Sequence, residues 1–367
     1  MTKHADFKRR VRARMAKTGE SYVTARSHLV GERPAEDGMT AALHITNGDS
    51  TDVRGTGLAR RIMVWRDALH EGPVPAVGHA ELRRIRAAFL AEEDGGQEYA
   101  MRFFTERDAA LEANRDGEYV LWFEADLYDQ LQIVQILARL AELAVPAERI
   151  TLICIGEHPG IARFGGLGQL NPDQLRELPA TKACATLSQA ALDLATQAWE
   201  AFRAAVPDGM AAIAATRSGE LRFLGEAFER LCREYPSTRD GLSLTERRVL
   251  AAAADTPDAT AGDVFVRAAA REARPYLGDT WCFTTMDRLA RAAHPLLEAR
   301  PANAPVDRTT RLRLTGTGAQ VLAGEADHVT LTGIDRWIGG VHLTGHDVPW
   351  RWDEGREVLT TTGVARA

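Results

Sequence analysis

The stretch over residues 41–75 constrains the fold of this chain most, because two short apolar runs in it each end in a dense polar group. The runs cover residues 42–46 and 62–65. Short apolar runs bounded by glycine and polar residues are typical of buried strands. In open α/β sheets, ligands bind beside the carboxyl ends of the strands, so we expect both polar groups at one site. The two groups are Asn47-Gly48-Asp49-Ser50 and Arg66-Asp67-Ala68-Leu69-His70-Glu71.

The order of strand, polar loop and helix recurs further along the chain. Residues 118–123 and 149–155 have the composition of buried strands, and residues 131–143 form a strongly apolar helical pattern between them. The loop after the first of these strands carries Asp126 and Asp129. Strands that alternate with helices indicate a mainly parallel sheet. The sequence therefore predicts an α/β fold with a mainly parallel, Rossmann-like sheet.

The pattern changes after residue 241, where Ser243 and Glu246 have the spacing of a helix capping box. Further helices are predicted over 260–274 and 279–293, and short strands over 311–315 and 328–331. Three helices followed by short strands are typical of a winged-helix-like α+β domain, which serves DNA binding and other roles alike. These helices carry mixed charge rather than a basic stripe, so nucleic acid is a less favoured partner than a small molecule.

At 367 residues the chain is long enough for two or three domains, and we expect four segments. They are a basic helical arm with a linker over 1–38, an α/β ligand-binding domain over 39–180, a helical connector over 181–240, and a winged-helix-like domain with a docking tail over 241–367. Residues 1–30 carry a net charge of +6, which leaves −12 for the rest because the total is −6. A basic arm of this kind suits phosphate groups or the chain's own acidic body.

Composition excludes several classes of protein. The longest apolar runs are far shorter than a membrane span, and the basic start lacks the apolar segment of a signal peptide. We therefore expect a cytoplasmic protein with no membrane partner. The cysteines have neither metal-ligand nor redox spacing, which predicts buried thiols. They are Cys154, Cys184, Cys232 and Cys282.

Binding of a phosphate group is the first interpretation of the polar groups. A loop that follows a strand exposes backbone N–H groups to an anion, and Arg66 would neutralise its charge. The glycine spacing matches neither the Walker loop nor the dinucleotide fingerprint. His70 is the side chain best suited to carry a proton near neutral pH. The predicted catalytic residues are Asp67, His70 and Glu71. The predicted ligand-binding residues are Asn47, Gly48, Asp49, Ser50, Arg66, Asp126, Asp129, Arg336 and His342.

Two other interpretations stay open. A helical turn over 67–71 would place Asp, His and Glu side chains on one face for a metal, with Asp49 or His44 adding a ligand. Gly72-Pro73 would end that turn at once, so a hydrogen-bonded turn without metal is preferred. The triplet 48–50 also resembles the start of the SGNH hydrolases, with Ser50 as nucleophile and His70 or His342 as base.

The tail combines glycines with Trp, Arg, Asp and His over residues 333–343. One interpretation is a strand that docks the tail on the body through an Asp–Arg pair. The other is that Arg336, Trp337 and His342 complete the first domain's site from across an interface, since domain junctions are common ligand sites.

Three motifs, at residues 44–50, 65–75 and 121–131, resemble those of the bacterial family called domain of unknown function 1835. The resemblance covers roughly residues 41–170, and the segments after residue 241 are similar to those of longer, actinobacterial-type members. It implies domain boundaries rather than a reaction. The predicted function is binding of a phosphorylated or nucleotide-like small ligand, with hydrolase or transferase chemistry as an extension. The alternative is a ligand-sensing regulator whose C-terminal domain contacts DNA or a protein.

Overall fold

The computed structural model describes residues 36–91 and 96–361, so the predicted basic arm over residues 1–30 lies outside the described residues. The helices are α1 (Glu36–Ala41), α2 (His79–Phe89), α3 (Gln97–Ala113), α4 (Leu127–Glu142), α5 (Pro172–Glu177), α6 (Gln189–Arg203), α7 (Met210–Ala214), α8 (Leu224–Cys232), α9 (Leu244–Asp255), α10 (Ala261–Ala269), α11 (Asp279–Arg291), α12 (Gly316–Ala323) and α13 (His328–Thr332). The strands are β1 (Leu43–Thr46), β2 (Arg61–Val64), β3 (Tyr119–Glu124), β4 (Ile150–Ile155), β5 (Cys184–Thr186), β6 (Ala259–Thr260), β7 (Leu297–Arg300), β8 (Arg311–Leu314), β9 (Ile334–Ile338), β10 (Val341–Gly345), β11 (Trp350–Asp353) and β12 (Val358–Thr361).

Five strands form the main sheet in the order β2-β1-β3-β4-β5. The first four are parallel and β5 is antiparallel to β4, so the prediction of a mainly parallel sheet is confirmed. The chain passes from β1 outward to β2 and then returns to β3 on the other side of β1. The carboxyl ends of β1 and β3 therefore flank the point at which the strand order reverses, which is where open α/β sheets bind ligands.

The largest core of the molecule lies around β3, β4 and helix α4. Continuous apolar runs suit these strands because they are buried in the middle of the sheet, and each residue of β4 is buried. Helix α4 begins after Asp126, whose side chain accepts a hydrogen bond from the backbone N–H of Asp129. That capped start fixes the helix directly beyond the end of β3 and places its first turn at the rim of the sheet.

Helices α9, α10 and α11 enclose a second core with the antiparallel sheet β6-β8-β7. The capping box predicted for Ser243 and Glu246 is confirmed. The strand predicted over 328–331 is wrong, because these residues form helix α13, which Asp327 caps by accepting from the N–H of Thr330. Within the predicted helical connector over 181–240, α8 covers only Leu224–Cys232.

The tail forms two antiparallel hairpins, β9–β10 and β11–β12, whose apolar side chains join the first core. Arg351 pairs with Asp327, and its Nη1 also donates to the carbonyl of Ser237 at 3.2 Å. All four cysteines are free thiols; Cys184 is half-buried and the others are buried. No helix of residues 36–91 and 96–361 has the length and apolar content that a membrane span requires.

Candidate functional site

The loops after β1 and β3 meet at the reversal point of the sheet. Asn47 follows β1, and its Nδ2 donates to Oδ1 of Asp129 at 2.8 Å. Asp129 is fully buried in the first turn of α4, and its Oδ2 accepts from the backbone N–H of Glu124 at 2.5 Å. The two strand ends are therefore tied together by one carboxylate.

Three carboxylates converge at this corner. Oxygen atoms of Glu124, Asp126 and Asp129 all lie within 4.8 Å of one another. Oε1 of Glu124 also accepts from the backbone N–H of Leu167 at 2.6 Å. An oxygen-only set of this kind suits Mg²⁺, Mn²⁺ or Ca²⁺. The residues that could hold a metal are therefore these three, rather than the His-containing group considered from the sequence.

Burial is the main influence on the acidity of this cluster. It raises the pKa of Glu124 to about 7, with the charge of Asp126 adding to the effect. It also raises the pKa of Asp126 to about 6 and that of Asp129 well above its ordinary value. Three carboxylates this close, of which Asp129 is buried and the other two are half-buried, cannot all ionise near neutral pH without a proton or a cation among them. The corner is thus built to take up positive charge.

A glycine-containing loop covers the cluster from the β4 side. A Cβ on Gly166 would lie 2.5 Å from Oε2 of Glu124, and a Cβ on Gly168 would lie 3.0 Å from Oγ of Ser50. The backbone can approach Glu124 and Ser50 this closely only because these glycines have no side chains. Gly48, by contrast, has open space around its Cα.

A crevice of about 150 Å³ adjoins Asp126, between the end of β3, helix α8 and the start of the C-terminal helices. Its charged walls carry four arginines, each engaged by a glutamate. Arg274, for example, donates from Nε to Oε1 of Glu226 at 2.9 Å and from Nη1 to the carbonyl of Gly156 at 3.2 Å. The four arginines in the walls of the crevice are Arg230, Arg233, Arg248 and Arg274.

The second predicted polar group turns into the body of the protein. Asp67 is 1% exposed, and its Oδ1 accepts from Nε and Nη2 of Arg86 at 3.0 and 2.7 Å. Arg86 is equally buried and also donates to the carbonyls of residues 68 and 71. Glu71 is buried too, with Nη1 of Arg288 at 3.7 Å from its Oε2. These contacts bind the segment to helices α2 and α11.

His70 lies at the junction of the two cores. Its ring meets Tyr128, Tyr276 and Trp281 edge-on, with centroid distances of 5.7, 5.4 and 6.4 Å. Burial, followed by the charge of Arg86, lowers the pKa of His70 to about 3. Neither ring nitrogen has a hydrogen-bond partner among the described residues. A neutral imidazole in this setting does not change charge near pH 7.

The structure thus brings together Asn47, Asp126 and Asp129, and leaves Asp49 and Ser50 exposed on the loop beside them. Arg66 is half-buried, with its guanidinium 4.9 Å from the ring centroid of Phe103. Neither histidine that was considered as a base for Ser50 hydrogen-bonds to it in the part of the chain that the structure describes.

The two tail residues of the predicted site separate. Arg336 points inward, and its Nη2 donates to Oε2 of the buried Glu234 at 2.5 Å. His342 faces outward, where its ring stacks on Trp337 at 4.3 Å and its Nε2 lies 2.7 Å from Oδ1 of Asp335. This follows from strand geometry, since Arg336 and its neighbour Trp337 must face opposite sides of β9.

Glu124 and the four crevice arginines, among them Arg274, are site residues that the sequence did not single out. Glu124 had a usable signal, because it is the last residue of β3 and precedes the acidic loop. No sequence signal pointed to Arg274, because it reaches the corner from the C-terminal part of the chain. No family model matches this chain, and a search of the curated proteins finds no significant match. The resemblance to the family of unknown function therefore stays a prediction.

Proposed function

We propose that the protein binds a phosphorylated or nucleotide-like small ligand in the crevice outside the carboxyl ends of β1 and β3. The observation that carries the proposal is the union of the Asn47 and Asp126–Asp129 corners at the reversal point of a mainly parallel sheet. Arginines border the adjoining crevice, and guanidinium groups match the geometry of phosphate oxygens.

The carboxylate cluster supplies the other half of the proposed recognition. Asp126 lines the crevice and belongs to the cluster, so it can meet a ligand directly. Carboxylates at this position accept hydrogen bonds from ribose hydroxyls or hold a divalent cation that the ligand's phosphates also bind. The catalytic roles predicted for Asp67, His70 and Glu71 remain predictions, and the proposal is one of binding.

The finer classification of the fold belongs to the same proposal. The strand order 2-1-3-4-5 supports a Rossmann-like, doubly wound sheet. Three helices with a three-stranded antiparallel sheet support a winged-helix-like C-terminal domain. Residues 243–293 contain seven basic and seven acidic side chains, a net charge of zero with histidine neutral. This balance favours ligand binding over nucleic-acid contact as the main function.

Calorimetric titration of the full chain with nucleoside mono-, di- and triphosphates and with ribose 5-phosphate, with and without Mg²⁺, tests the proposal. We expect saturable binding by at least one of them. Asp126→Asn should weaken it by about tenfold or more, since a charge-assisted contact is lost. Asp173→Asn, whose carboxylate is 84% exposed on α5, should leave the affinity unchanged. If none of these probes gives saturable heat with the folded wild-type chain, the proposal is wrong.

A further inference from the structure

A second cavity, of about 30 Å³, lies beside the main sheet and shares no lining residue with the crevice described above. Helices α2, α3, α4 and α6 surround it. Its apolar walls include Trp65, Phe104 and Trp199, and Gln135 adds a polar side chain whose Oε1 accepts from Nε1 of Trp65 at 2.8 Å. The space is large enough for a water-sized group and far too small for a nucleotide.

Arg107 is the side chain that distinguishes this cavity. It is 6% exposed, and its guanidinium carbon lies 3.8 Å from the ring centroid of Trp65 and 4.7 Å from that of Phe104. Its Nε and Nη2 donate to Oδ1 of Asp108 at 3.0 and 2.9 Å. Its Nη1 is buried and has no hydrogen-bond partner within residues 36–91 and 96–361. One donor group of a buried cation is thus left over.

The carboxylates at the cavity are unevenly distributed among its arginines. Asp108 serves two cations, because its Oδ2 also accepts from Nη1 of Arg83 at 3.0 Å. The other acidic wall residues are already engaged, one by Arg86 and one by Arg139. Arg139, by contrast, has two carboxylates, Glu142 and Glu112, so the unmet requirement at the cavity is the donor at Nη1 of Arg107. A buried, partly unpaired cation is costly, so a matching anion would stabilise it.

We propose that this cavity binds a small anion, of the size of chloride or of one carboxylate group, at Nη1 of Arg107. The face of the guanidinium is held on Trp65 by a cation–π contact, which leaves its edge for the anion. The aromatic walls restrict the site to one small charged group. This inference is independent of the proposed nucleotide-like ligand.

Thermal unfolding at constant ionic strength tests the proposal, with the large anion of a sulfonate buffer replaced stepwise by chloride or by formate. We expect a saturating rise in Tm of roughly 2–5 °C for the wild-type protein. Arg107→Gln should abolish the saturating part. Arg115→Gln, at an arginine that is 67% exposed, should retain it.

For the Asp108→Asn variant we expect a gain in anion affinity. It removes the carboxylate that Arg83 and Arg107 share, so the anion should bind about tenfold more tightly. Line broadening of ³⁵Cl resonances gives a direct measure of chloride exchange for each variant. If wild-type and Asp108→Asn proteins show only a linear, equal response to chloride and formate, the cavity holds water alone and the proposal is overturned.

Discussion

Glu124 illustrates how burial sets the chemistry of a single carboxylate. Its pKa is raised from 4.5 to about 7, so the unfolded chain releases this proton at lower pH than the folded protein does. The stability linked to this proton is complete below pH 4.5 and is lost as the pH rises through about 7. Glu124→Gln keeps an acceptor for the N–H of Leu167 and removes the charge. We expect it to stabilise the protein at pH 8 by on the order of 2 kcal/mol relative to pH 4.5.

The free energy of urea unfolding is measured for the wild type and for Glu124→Gln from pH 4.5 to pH 8. The difference between the two proteins is then compared across this pH range. The difference is needed because His70 acts in the opposite direction. Its lowered pKa, about 3, makes stability rise with pH up to its ordinary value of 6.5. Glu157→Gln, at a carboxylate that is 84% exposed, is the matched control and should show no pH-dependent gain. A flat difference for Glu124→Gln would contradict the assigned pKa.

Sequence reasoning at this scale located the residues that follow strands but not the direction in which each side chain points. Asn47 and Asp129 could be predicted because they follow strands whose carboxyl ends a parallel sheet brings together. Asp67 looked equivalent, yet it turns inward because Arg86, on helix α2, takes its carboxylate. An ion-pair partner that tertiary packing brings from another helix cannot be predicted from the local sequence pattern.

The β9–β10 hairpin shows what holds one element against another. Its turn, Gly339-Gly340, packs on the last turn of α6, and the N–H of Gly340 donates to the carbonyl of Phe202 at 2.9 Å. A Cβ on Gly340 would lie 1.9 Å from the carbonyl oxygen of Arg203. We expect Gly340→Ala to lower the free energy of unfolding by about 1–3 kcal/mol, because backbone must move to admit the methyl group.

Urea unfolding of the two glycine variants at one pH measures this effect. Gly219→Ala is the control, because a Cβ there would meet no atom within 4 Å. It should change stability by less than about 0.5 kcal/mol in either direction. Equal stability of Gly340→Ala and the wild type would mean that the hairpin does not depend on the close approach at its turn.

Elements whose signals are local were predicted well. Helix α9 begins after the capping box of Ser243 and Glu246, and the buried runs of β3 and β4 stand out by composition alone. The prediction for residues 328–331 was wrong because a run of β-branched and apolar residues favours a strand, whereas the Asp327 cap and the contacts of the second core select a helix. The two hairpins of the tail were missed because their pairing depends on the surface against which they pack.

At the scale of the whole molecule, the two cores meet through helix α11. Trp281 stacks on Phe89 of helix α2, with ring planes 2° apart and centroids 5.5 Å apart. Arg288, which lies further along the same helix, faces Glu71. The sequence placed a domain boundary near residue 241 but could not indicate this junction, since α2 and α11 are far apart in the chain. The proposed crevice opens beside the same junction, so ligand binding and the docking of the two cores should be coupled.

Trp281→Ala tests the docking of the two cores. We expect it to lower the free energy of unfolding by about 3 kcal/mol, because a large aromatic contact is lost and only partly refilled. With the junction weakened, the two cores should unfold at separate temperatures, so calorimetric scans should show two transitions where the wild type shows one. Val266→Ala, at a side chain that is 61% exposed on α10, should keep the wild-type profile. A single transition in Trp281→Ala, shifted no further than in Val266→Ala, would show that the stack does not join the cores.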